Sequence, residues 1–509
     1  MKIPIKKRLI LFILVFIFLI NLSFKSGWDL WIQTITWFAT AIVLSIIILP
    51  EFHISKIIKS PSVILIVSGI IIAKIFSALP AYSNISFYNN LSFLFIFISA
   101  STVINTENDK NNTIKILLIL GLMCSVLDIT YFLIWHINLF PNPNIKAGFL
   151  LIVIPFYIDR IFVCSNKKNR LFWLLLSTIV LVSFIKSKSS WGSIILIGII
   201  IFYLQMKKKI KISPVLIFTI IILSGLLLFH QKNPNYLADR TEWLFAGVKM
   251  ILNKPFTGFG PGTTPHILPF FTKPNNLSIY IHSYFIQFGA ENGIITLTGI
   301  LWLLFISIKK LFRSSHDQSK IVILSVLGVL VYNLFEYNLQ IPLVAILFWF
   351  VLGSFIDVNN FKIKPPKVIP KIMFTVCSIL FLALAIPNLY KPFSASRFFA
   401  RGIYNLKNNN YKNAENKFNN ALNIYPDYSL AYLGLAINNI SNNNLNKAAI
   451  NIKKSFPKLK NKMIYKAYMK GIEHLKQNNK ELAKYKFIEV IKFRLTQYGL
   501  DPQYNTPNF

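Results

Sequence analysis

Residues 230–293 read HQKNPNYLADRTEWLFAGVKMILNKPFTGFGPGTTPHILPFFTKPNNLSIYIHSYFIQFGAENG and form the one long polar interval within the first 390 residues. On both sides of it the chain consists of apolar runs and short loops. Apolar runs of about 20 residues are typical of membrane-spanning helices. The pattern therefore predicts a membrane domain over residues 1–390, with residues 231–281 as a large loop on one of its faces.

The composition agrees with a membrane protein. Of the 509 residues, 54% are hydrophobic and only 14% are charged, whereas about a quarter of a soluble domain is charged. We predict an all-α polytopic transmembrane helical bundle of about 12–13 spans. The predicted spans are residues 9–24, 30–49, 61–80, 87–104, 114–136, 146–164, 171–187, 190–206, 212–230, 281–308, 320–337, 341–357 and 371–389.

The formal net charge of +36 could indicate a nucleic-acid partner, but the distribution of the basic residues argues against one. Most Lys and Arg residues of the membrane domain lie in alternate short loops, which is the positive-inside pattern of membrane proteins. This pattern predicts a cytoplasmic N-terminus and places both the 231–281 loop and the C-terminus outside the cytoplasm. The short outside loops carry only Lys25, Lys146, Lys186 and Lys188.

Residues 394–509 have a different character, since Asn, Lys and Tyr replace the apolar runs. A repeat of about 34 residues resembles the tetratricopeptide consensus, whose helices usually bind peptides or proteins. The tail would then be an α-helical repeat domain, and a solubilising helical cap is the alternative. Its basic charge suits an anionic partner or a lipid surface, or a face that is merely solvated. The matching positions are Gly402, Ala414, Phe418, Ala421 and Pro426, then Tyr432, Leu435, Ala436 and Ala448, then Gly471, Ala483 and Phe487.

His282 is the candidate for chemistry at the mouth of the span over 281–308. A neutral imidazole could act there as a general base on a hydroxyl group. The alternative is an interfacial histidine within an aromatic belt that includes Tyr280 and Tyr284.

Arg240 opens the stretch LADRTEWLFAGVKMILNKP, whose apolar spacing predicts an amphipathic helix at the membrane surface. Arginine suits bidentate phosphate contacts. The alternatives are pairing with lipid headgroups or with Asp239 or Glu242. The GFGPG turn, which contains Gly258 and Gly260, allows backbone amides to approach a phosphate, although such turns are also common in ordinary loops.

Lys186 and Lys188 in FIKSKSSWG break the positive-inside pattern, so together they indicate an anion site, and snorkelling explains either one alone. Asn142 and Asn144 in the PNPN turn could bind a sugar, or the segment could be a plain turn. Lys74 and Asp128 lie within predicted spans at similar distances from their outer ends. Because charges inside a membrane are usually paired, we predict an ion pair between them.

In order along the chain, these motifs resemble the O-antigen ligase and O-antigen polymerase family of bacterial membrane proteins, which includes O-oligosaccharyltransferase relatives. The resemblance covers residues 139–300. It consists of FPNPN, SKSSWG, Arg240 with Trp243, GFGPG, and His282 followed by Glu291-Asn-Gly-Ile-Ile. The chain departs from the family in Lys188, where an arginine is usual, and in Ser283, where an asparagine often follows the histidine.

The resemblance implies an all-α glycosyltransferase of the cytoplasmic (inner) membrane that needs neither metal nor cofactor. It would transfer a glycan from a polyprenyl diphosphate, such as undecaprenyl diphosphate, to an acceptor outside the cytoplasm, as in lipopolysaccharide and other cell-envelope polysaccharide biosynthesis. His282 would act at the acceptor hydroxyl and Lys188 and Arg240 would hold the diphosphate. Asn142, Asn144, Lys186, Gly258, Gly260 and Glu291 would support them.

The acceptor could be a lipid A core, the growing glycan, as in a polymerase, or a protein hydroxyl, which the repeat tail favours. The alternative from another class is a lipid-linked glycan transporter or assembly scaffold without chemistry. Such a transporter would be expected to show internal repeats and charges along its spans.

Overall fold

A computed structural model describes residues 60–104, 106–135, 139–140, 142–207, 234–273, 276, 278–314, 317–356, 390–456 and 462–497, with the single positions 16, 17 and 36. Every regular element in these ranges is helical, which confirms the all-α fold class. Apart from those single positions, the predicted spans 9–24, 30–49, 212–230 and 371–389 lie outside the described residues.

The described part of the membrane domain extends from residue 60 to residue 356. Within it, five helices are long and apolar enough to cross a bilayer, namely those that contain Tyr82–Val103, Glu107–Ile134, Lys167–Lys186, Tyr284–Arg313 and Gln318–Phe335, so the chain is compatible with a multi-pass membrane protein. The helices are α1 (Pro61–Ile75), α2 (Pro80–Val103), α3 (Glu107–Trp135), α4 (Pro143–Val163), α5 (Lys167–Lys186), α6 (Ser190–Met206), α7 (Pro234–Asn253), α8 (Thr264–Ile267), α9 (Tyr284–Arg313), α10 (Asp317–Phe335) and α11 (Pro342–Ser354).

Each predicted span between residues 61 and 206, and between 281 and 357, corresponds to one of these helices, but only the five named above are long and apolar enough to cross a bilayer; Pro61–Ile75, Ser190–Met206 and Pro342–Ser354 are shorter apolar helices. The ends differ where polar residues extend a helix beyond its apolar run. Helix α3 begins at Glu107, before the predicted 114, because Thr106 and Asp109 cap it reciprocally: the Thr106 amide donates to Asp109 Oδ2 (3.1 Å) and the Asp109 amide donates to Thr106 Oγ1 (3.2 Å).

Helix α4 is the centre of the membrane domain, and its residues from Ile145 to Tyr157 are buried. It packs against α3, α5, α6, α10 and α11. A helix that is apolar on all sides is expected in such a position. By contrast, α5 exposes Leu171, Phe172 and Leu175 on its outer side, as a lipid-facing helix would.

The predicted pair between Lys74 and Asp128 is wrong. Asp128 is fully buried and accepts from Lys146 Nζ at 2.9 Å and from Ser183 Oγ at 3.0 Å. Lys186 Nζ lies 3.4 Å from the same carboxylate oxygen and donates to the Asp128 carbonyl at 3.0 Å. Lys74 instead donates to the backbone carbonyl of Pro80. Lys74 is not a partner despite its similar depth, because α3 packs mainly against α4 and α5.

Helix α9 is broken at Gly293, whose φ of 77° and ψ of 168° are not helical. The break leaves carbonyls without helical partners, and the loop after α7 supplies donors to two of them. The amide of Phe259 donates to Ala290 (3.0 Å) and that of Gly260 to Glu291 (2.9 Å), while the Ile294 amide donates to Pro255 (2.7 Å). The glycine-rich turn is therefore fixed to the broken helix by backbone hydrogen bonds.

The described part of the tail consists of three helix–turn–helix hairpins. Their helices are α12 (residues 390–407), α13 (Tyr411–Ile424), α14 (Ser429–Ser441), α15 (Leu445–Ser455), α16 (Lys462–Lys476) and α17 (Lys480–Gln497). The glycines at repeat positions allow aromatic rings to approach. A Cβ atom at Gly402 or Gly434 would lie 2.4 Å from the Phe418 ring, and one at Gly471 would lie 2.5 Å from the Phe487 ring.

The turn inside each hairpin has the same construction. Asn409, Asn443 and Asn478 have φ values of 56°, 54° and 58°, the left-handed conformation that asparagine tolerates better than most residues. The asparagine that follows each of them caps the next helix: its side chain accepts from the amide of Asn413, Lys447 or Leu482 at 3.3 Å. The repetition seen in the sequence is thus a repetition of structure.

Candidate functional site

Glu336 follows the end of α10 and is 1% exposed. It is the point at which several distant segments meet. Arg240 Nη2 donates to Glu336 Oε1 at 2.7 Å, and Asn144 Nδ2 donates to the same oxygen at 2.9 Å. His282 Nδ1 lies 3.5 Å from Oε2. We call these four residues the Glu336 centre.

Arg240 reaches Glu336 from the inner face of α7, where its side chain is buried together with Ala246 and Met250. Its Nη1 also donates to the Phe335 carbonyl at 2.7 Å. The amphipathic helix predicted from Leu237 onward is present, but its arginine points into the protein. Arg240 therefore binds the carboxylate of Glu336. The alternatives from the sequence were Asp239 and Glu242.

His282 has a φ of 58°, which a residue with a Cβ atom adopts only at a cost. Its ring stacks on Trp243 with 5.1 Å between centroids and lies edge-on to Tyr337 at 5.2 Å. The side chain is 18% exposed. The distance of 3.5 Å from Nδ1 to Glu336 is long for a hydrogen bond but short for an ion pair, so the carboxylate faces one ring nitrogen and leaves Nε2 for another partner.

The charge state of Glu336 follows from its neighbours. Burial alone would raise the pKa of this carboxyl, but the Arg240 guanidinium and His282 outweigh burial and hold the pKa below its ordinary value. A buried carboxylate that stays ionised can fix the orientation of an imidazole and stabilise its protonated form.

The PNPN turn belongs to the same centre. Asn142 caps α4, because its side chain accepts from the Asn144 amide at 2.8 Å, and its Nδ2 donates to Tyr337 at 3.2 Å. Asn144 is committed to Glu336 by its side chain, and its carbonyl accepts from Asn338 at 3.0 Å. The side chains of both asparagines therefore bind residues of the protein at the centre, Tyr337 and Glu336.

The SKSSWG turn is connected to the centre through hydroxyl groups. Ser189 Oγ lies 2.8 Å from the Tyr332 hydroxyl, which donates to the Asn144 carbonyl at 3.2 Å. Trp191 stacks on Phe335 with 3.9 Å between centroids. Lys188 itself is exposed and has a φ of 52°. Its amide donates to the Ile185 carbonyl at 3.0 Å, but its side chain makes no hydrogen bond or ion pair with any residue that the structure describes. Its ammonium group is therefore available to a ligand.

Lys186 is held differently from Lys188. Its ammonium group bonds to Asp128 and lies 4.0 Å from the centre of the Phe132 ring. Lys146 and Lys186 together place two positive charges around one carboxylate, which leaves an excess of positive charge beside the SKSSWG turn.

The glycine-rich turn takes up left-handed conformations at Gly258, Gly260 and Gly262, with φ values of 61°, 111° and 70°. Two of its amides are directed at Glu291: Gly260 donates to the Glu291 carbonyl at 2.9 Å, and Gly262 donates to its carboxylate at 3.0 Å. Gly258 cannot carry a side chain, since a Cβ atom would lie 2.4 Å from the Glu291 carbonyl oxygen.

His266, the other histidine of the loop, is not part of the Glu336 centre. Its ring lies 4.3 Å from that of Tyr82. Burial, and to a smaller extent the nearby Arg494 of the tail, hold the pKa of His266 well below its ordinary value. The Tyr82 hydroxyl is 2.6 Å from Ser429 Oγ, so this corner of the loop contacts the repeat hairpins.

Glu336 and Tyr337 are residues of the candidate site that were not predicted from the sequence. Glu336 was included in the predicted span 320–337. A carboxylate in the last turn of a span is itself a signal, because ionisable groups there are normally paired. The spacing of residues along the chain could not predict the partners of Glu336, since Asn144, Arg240 and His282 come from three separate segments.

Comparison with known proteins adds no relative: no family model, no curated protein and no solved structure matches this chain. In the described ranges, no group of three or more His, Cys, Asp or Glu side chains could hold a metal ion.

Proposed function

We propose that this chain transfers a glycan from a polyprenyl diphosphate carrier to an acceptor hydroxyl on the outer face of the cytoplasmic membrane. The resemblance of its motifs to the O-antigen ligases and polymerases suggests this reaction. The observation that carries the proposal is the position of His282 Nδ1, 3.5 Å from the buried Glu336 carboxylate, in an arrangement assembled from motifs at positions 142–144, 240 and 282.

In this mechanism His282 is the catalytic base. The acceptor oxygen forms a bond to the anomeric carbon of the donor while the bond from that carbon to the diphosphate breaks. The acceptor proton passes to Nε2 of His282, and the polyprenyl diphosphate leaves with the electron pair. Glu336 holds Nδ1 and stabilises the imidazolium that forms, which is the usual function of a carboxylate behind a catalytic histidine.

Arg240 acts in this scheme as a positioning residue. Its guanidinium group is bound to Glu336 and to the Phe335 carbonyl, both at 2.7 Å, and it keeps the carboxyl ionised. This role differs from the diphosphate contact that the family resemblance implies. The geometry favours it because the hydrogen bonds of Arg240 are directed into the protein.

Lys188 is the residue best suited to the donor diphosphate, and Lys186 supports it. Fixed cations stabilise the negative charge that develops on a leaving diphosphate, so the reaction needs no metal ion. The hydroxyl chain from Ser189 through Tyr332 to Asn144 connects this turn with the Glu336 centre.

The distribution of Lys and Arg supports an outer location for the loop and the repeats. The tetratricopeptide-like spacing of the tail sequence, together with its three helical hairpins, supports a peptide or protein partner. We therefore favour a protein hydroxyl as acceptor. Mass spectrometry of glycans and glycoproteins from a deletion strain would identify it, with a lipid A core or the growing glycan as the alternative results.

The test uses purified protein with a lipid-linked oligosaccharide donor. We expect His282→Ala to reduce transfer by about 10²–10⁴-fold, the usual contribution of a general base, and Arg240→Ala to reduce it strongly as well. His474→Ala, a histidine change in the last hairpin, is the matched control and should retain full transfer. Unchanged transfer in both His282→Ala and Arg240→Ala would exclude the mechanism.

A further inference from the structure

A cavity of about 150 Å³ lies beside the Glu336 centre. It has room for on the order of ten water molecules, at roughly 15 Å³ each, which is the scale of a single sugar ring. Helices α2 and α9 and the segment after Tyr337 form its walls. The polar groups on these walls come from Ser86, Asn89, Asn90, Gln287, Glu291 and Gln340.

Several of these polar groups have unused hydrogen-bonding capacity. Gln340 Oε1 accepts from Gln287 at 2.7 Å, but its Nε2 is buried and has no hydrogen-bond partner among the described residues. The side chains of Ser86 and Asn90 also make no hydrogen bond within the described ranges, although both lie on a helix that is apolar enough to cross a membrane. Polar groups in such a place are normally satisfied.

The charge of the cavity excludes two classes of ligand. None of the lining residues is Lys or Arg, so a diphosphate would meet a carboxylate and no cation. Glu291 is also unsuited to a metal ion, because N–H groups are directed at its carboxylate: those of Gly262 at 3.0 Å, Thr264 at 3.3 Å and Gln287 at 3.1 Å. What remains is a neutral ligand with several hydroxyl groups.

The aromatic residues of the cavity agree with this class of ligand. Phe93, Tyr280 and Phe288 provide apolar surface beside the amide groups. Burial, followed by the nearby Tyr337 and Glu291, raises the pKa of Tyr280 well above its ordinary value, so its hydroxyl stays protonated. A sugar ring has an apolar face of C–H groups and an edge of hydroxyl groups. The flat apolar surface and the neutral donors and acceptors of the cavity match these two surfaces.

We propose that this cavity, which we call the Glu291 cavity, binds a neutral sugar unit of the substrate. Tyr280 connects it with the Glu336 centre, because its ring stacks on Tyr337 with 3.7 Å between centroids, and Tyr337 in turn contacts His282. The inference rests on the proposed glycan transfer for the role of that sugar. The diphosphate is bound elsewhere, at the Lys188 turn.

The test measures sugar binding without any donor. Saturation-transfer NMR on the purified full-length protein, with a panel of neutral methyl hexosides and N-acetylhexosaminides, should detect at least one ligand. We expect Asn90→Leu and Gln340→Leu each to weaken that binding roughly tenfold, the effect of about one lost hydrogen bond with its desolvation. Inorganic diphosphate should not displace the sugar.

The matched control is Asn84→Leu, the same change on the same helix but away from the cavity wall, and it should bind sugar like the original protein. Gln340→Met serves if one of the leucine variants fails to fold. Absence of binding to every sugar, or equal binding in the Asn90 and Gln340 variants, would overturn the cavity assignment even if transfer is observed. Binding that depends on Asn90 in a protein without transfer activity would support the cavity and refute the proposed function.

Discussion

The turns of the repeat tail and the turns of the membrane domain both place residues with side chains in the left-handed conformation. In the described tail these residues are Asn409, Asn443 and Asn478, one in each hairpin. In the described membrane domain they are Lys188 and His282. The tail uses asparagine at all three positions, whereas the membrane domain uses a histidine, which is also enriched in this conformation, and a lysine, which is not.

The left-handed residues of the tail have a structural role, whereas those of the membrane domain lie in the candidate functional site. In the tail, each asparagine ends one helix and its neighbour caps the next, so the conformation is part of the repeat and recurs with it. At His282 the conformation ends no repeat. It is maintained by the surroundings, including a hydrogen bond of 2.9 Å from the Tyr284 amide to the Glu336 carbonyl. Strain of this kind persists where the surrounding structure maintains it, and it is concentrated at functional sites.

The sharpest test replaces the left-handed residue by glycine in both regions. His282→Gly removes the proposed base but suits the backbone, so we expect transfer to fall by about 10²–10⁴-fold, while the relief of backbone strain offsets part of the stability lost with the ring contacts to Trp243 and Tyr337. Asn443→Gly should leave transfer unchanged. The measurements are transfer rates and thermal unfolding of the two variants in the same detergent. If His282→Gly kept its activity, the distinction between the two regions would disappear.

Glu336→Gln should have the largest effect on stability. It leaves the buried Arg240 without its partner, and removal of one member of a buried ion pair typically costs about 3–5 kcal/mol. Denaturant unfolding would measure the loss. Adding Arg240→Gln should restore part of it without restoring transfer, and Asp239→Asn is the control for the loss of a nearby carboxylate. A Glu336→Gln variant as stable as the original protein would show that the centre is not coupled.

Asn443→Val tests the tail in the opposite direction. A β-branched residue in the left-handed conformation costs about 1–2 kcal/mol, so we expect that loss of unfolding free energy, with transfer intact under conditions where the tail is folded. Asn443→Gly provides the comparison, because it should change stability by only a few tenths of a kcal/mol. Equal stability of the valine and glycine variants would contradict the role of the turn.

His266 tests the contact between the two regions. Because its pKa is lowered in the folded protein, the unfolded chain binds more protons below about pH 6.5. Its stabilising effect is therefore present above that pH and is lost as the pH falls, by up to about 1.4 kcal/mol per pH unit. We expect His266→Gln to flatten the dependence of thermal stability on pH between about 7 and 5. An unchanged pH profile would show that His266 does not titrate in this way.

Features governed by local sequence were predictable. Apolar runs gave the positions of the described spans, and the spacing of Gly402, Phe418 and Gly471 indicated hairpins that the structure contains. Arg240 and His282 were identified by residue type and motif. Each of these signals lies within one segment of the chain, so no knowledge of helix neighbours was needed.

Features that depend on helix neighbours were not predictable from one sequence. The partner of Asp128 was wrongly taken to be Lys74, because depth along a span does not show which helices touch. Glu336 was missed for the same reason. Its partners come from α7, the PNPN turn and the residues just before α9, and they are recognised only once these elements are seen to meet at the end of α10. The contact of the glycine-rich turn with Glu291 could likewise not be predicted, since Glu291 lies in another element.

The break at Gly293 also divides α9 into a short first part and a longer second part. After the break, residues 294–313 continue as about 30 Å of helix at 1.5 Å per residue, which equals the thickness of the hydrocarbon layer of a bilayer. If this stretch spans the hydrocarbon layer, the first turns of α9, from Tyr284 to Asn292, would lie at the height of the headgroups. Under the proposed function, the diphosphate of a lipid carrier would lie at the same height, so the bilayer would align the donor with His282.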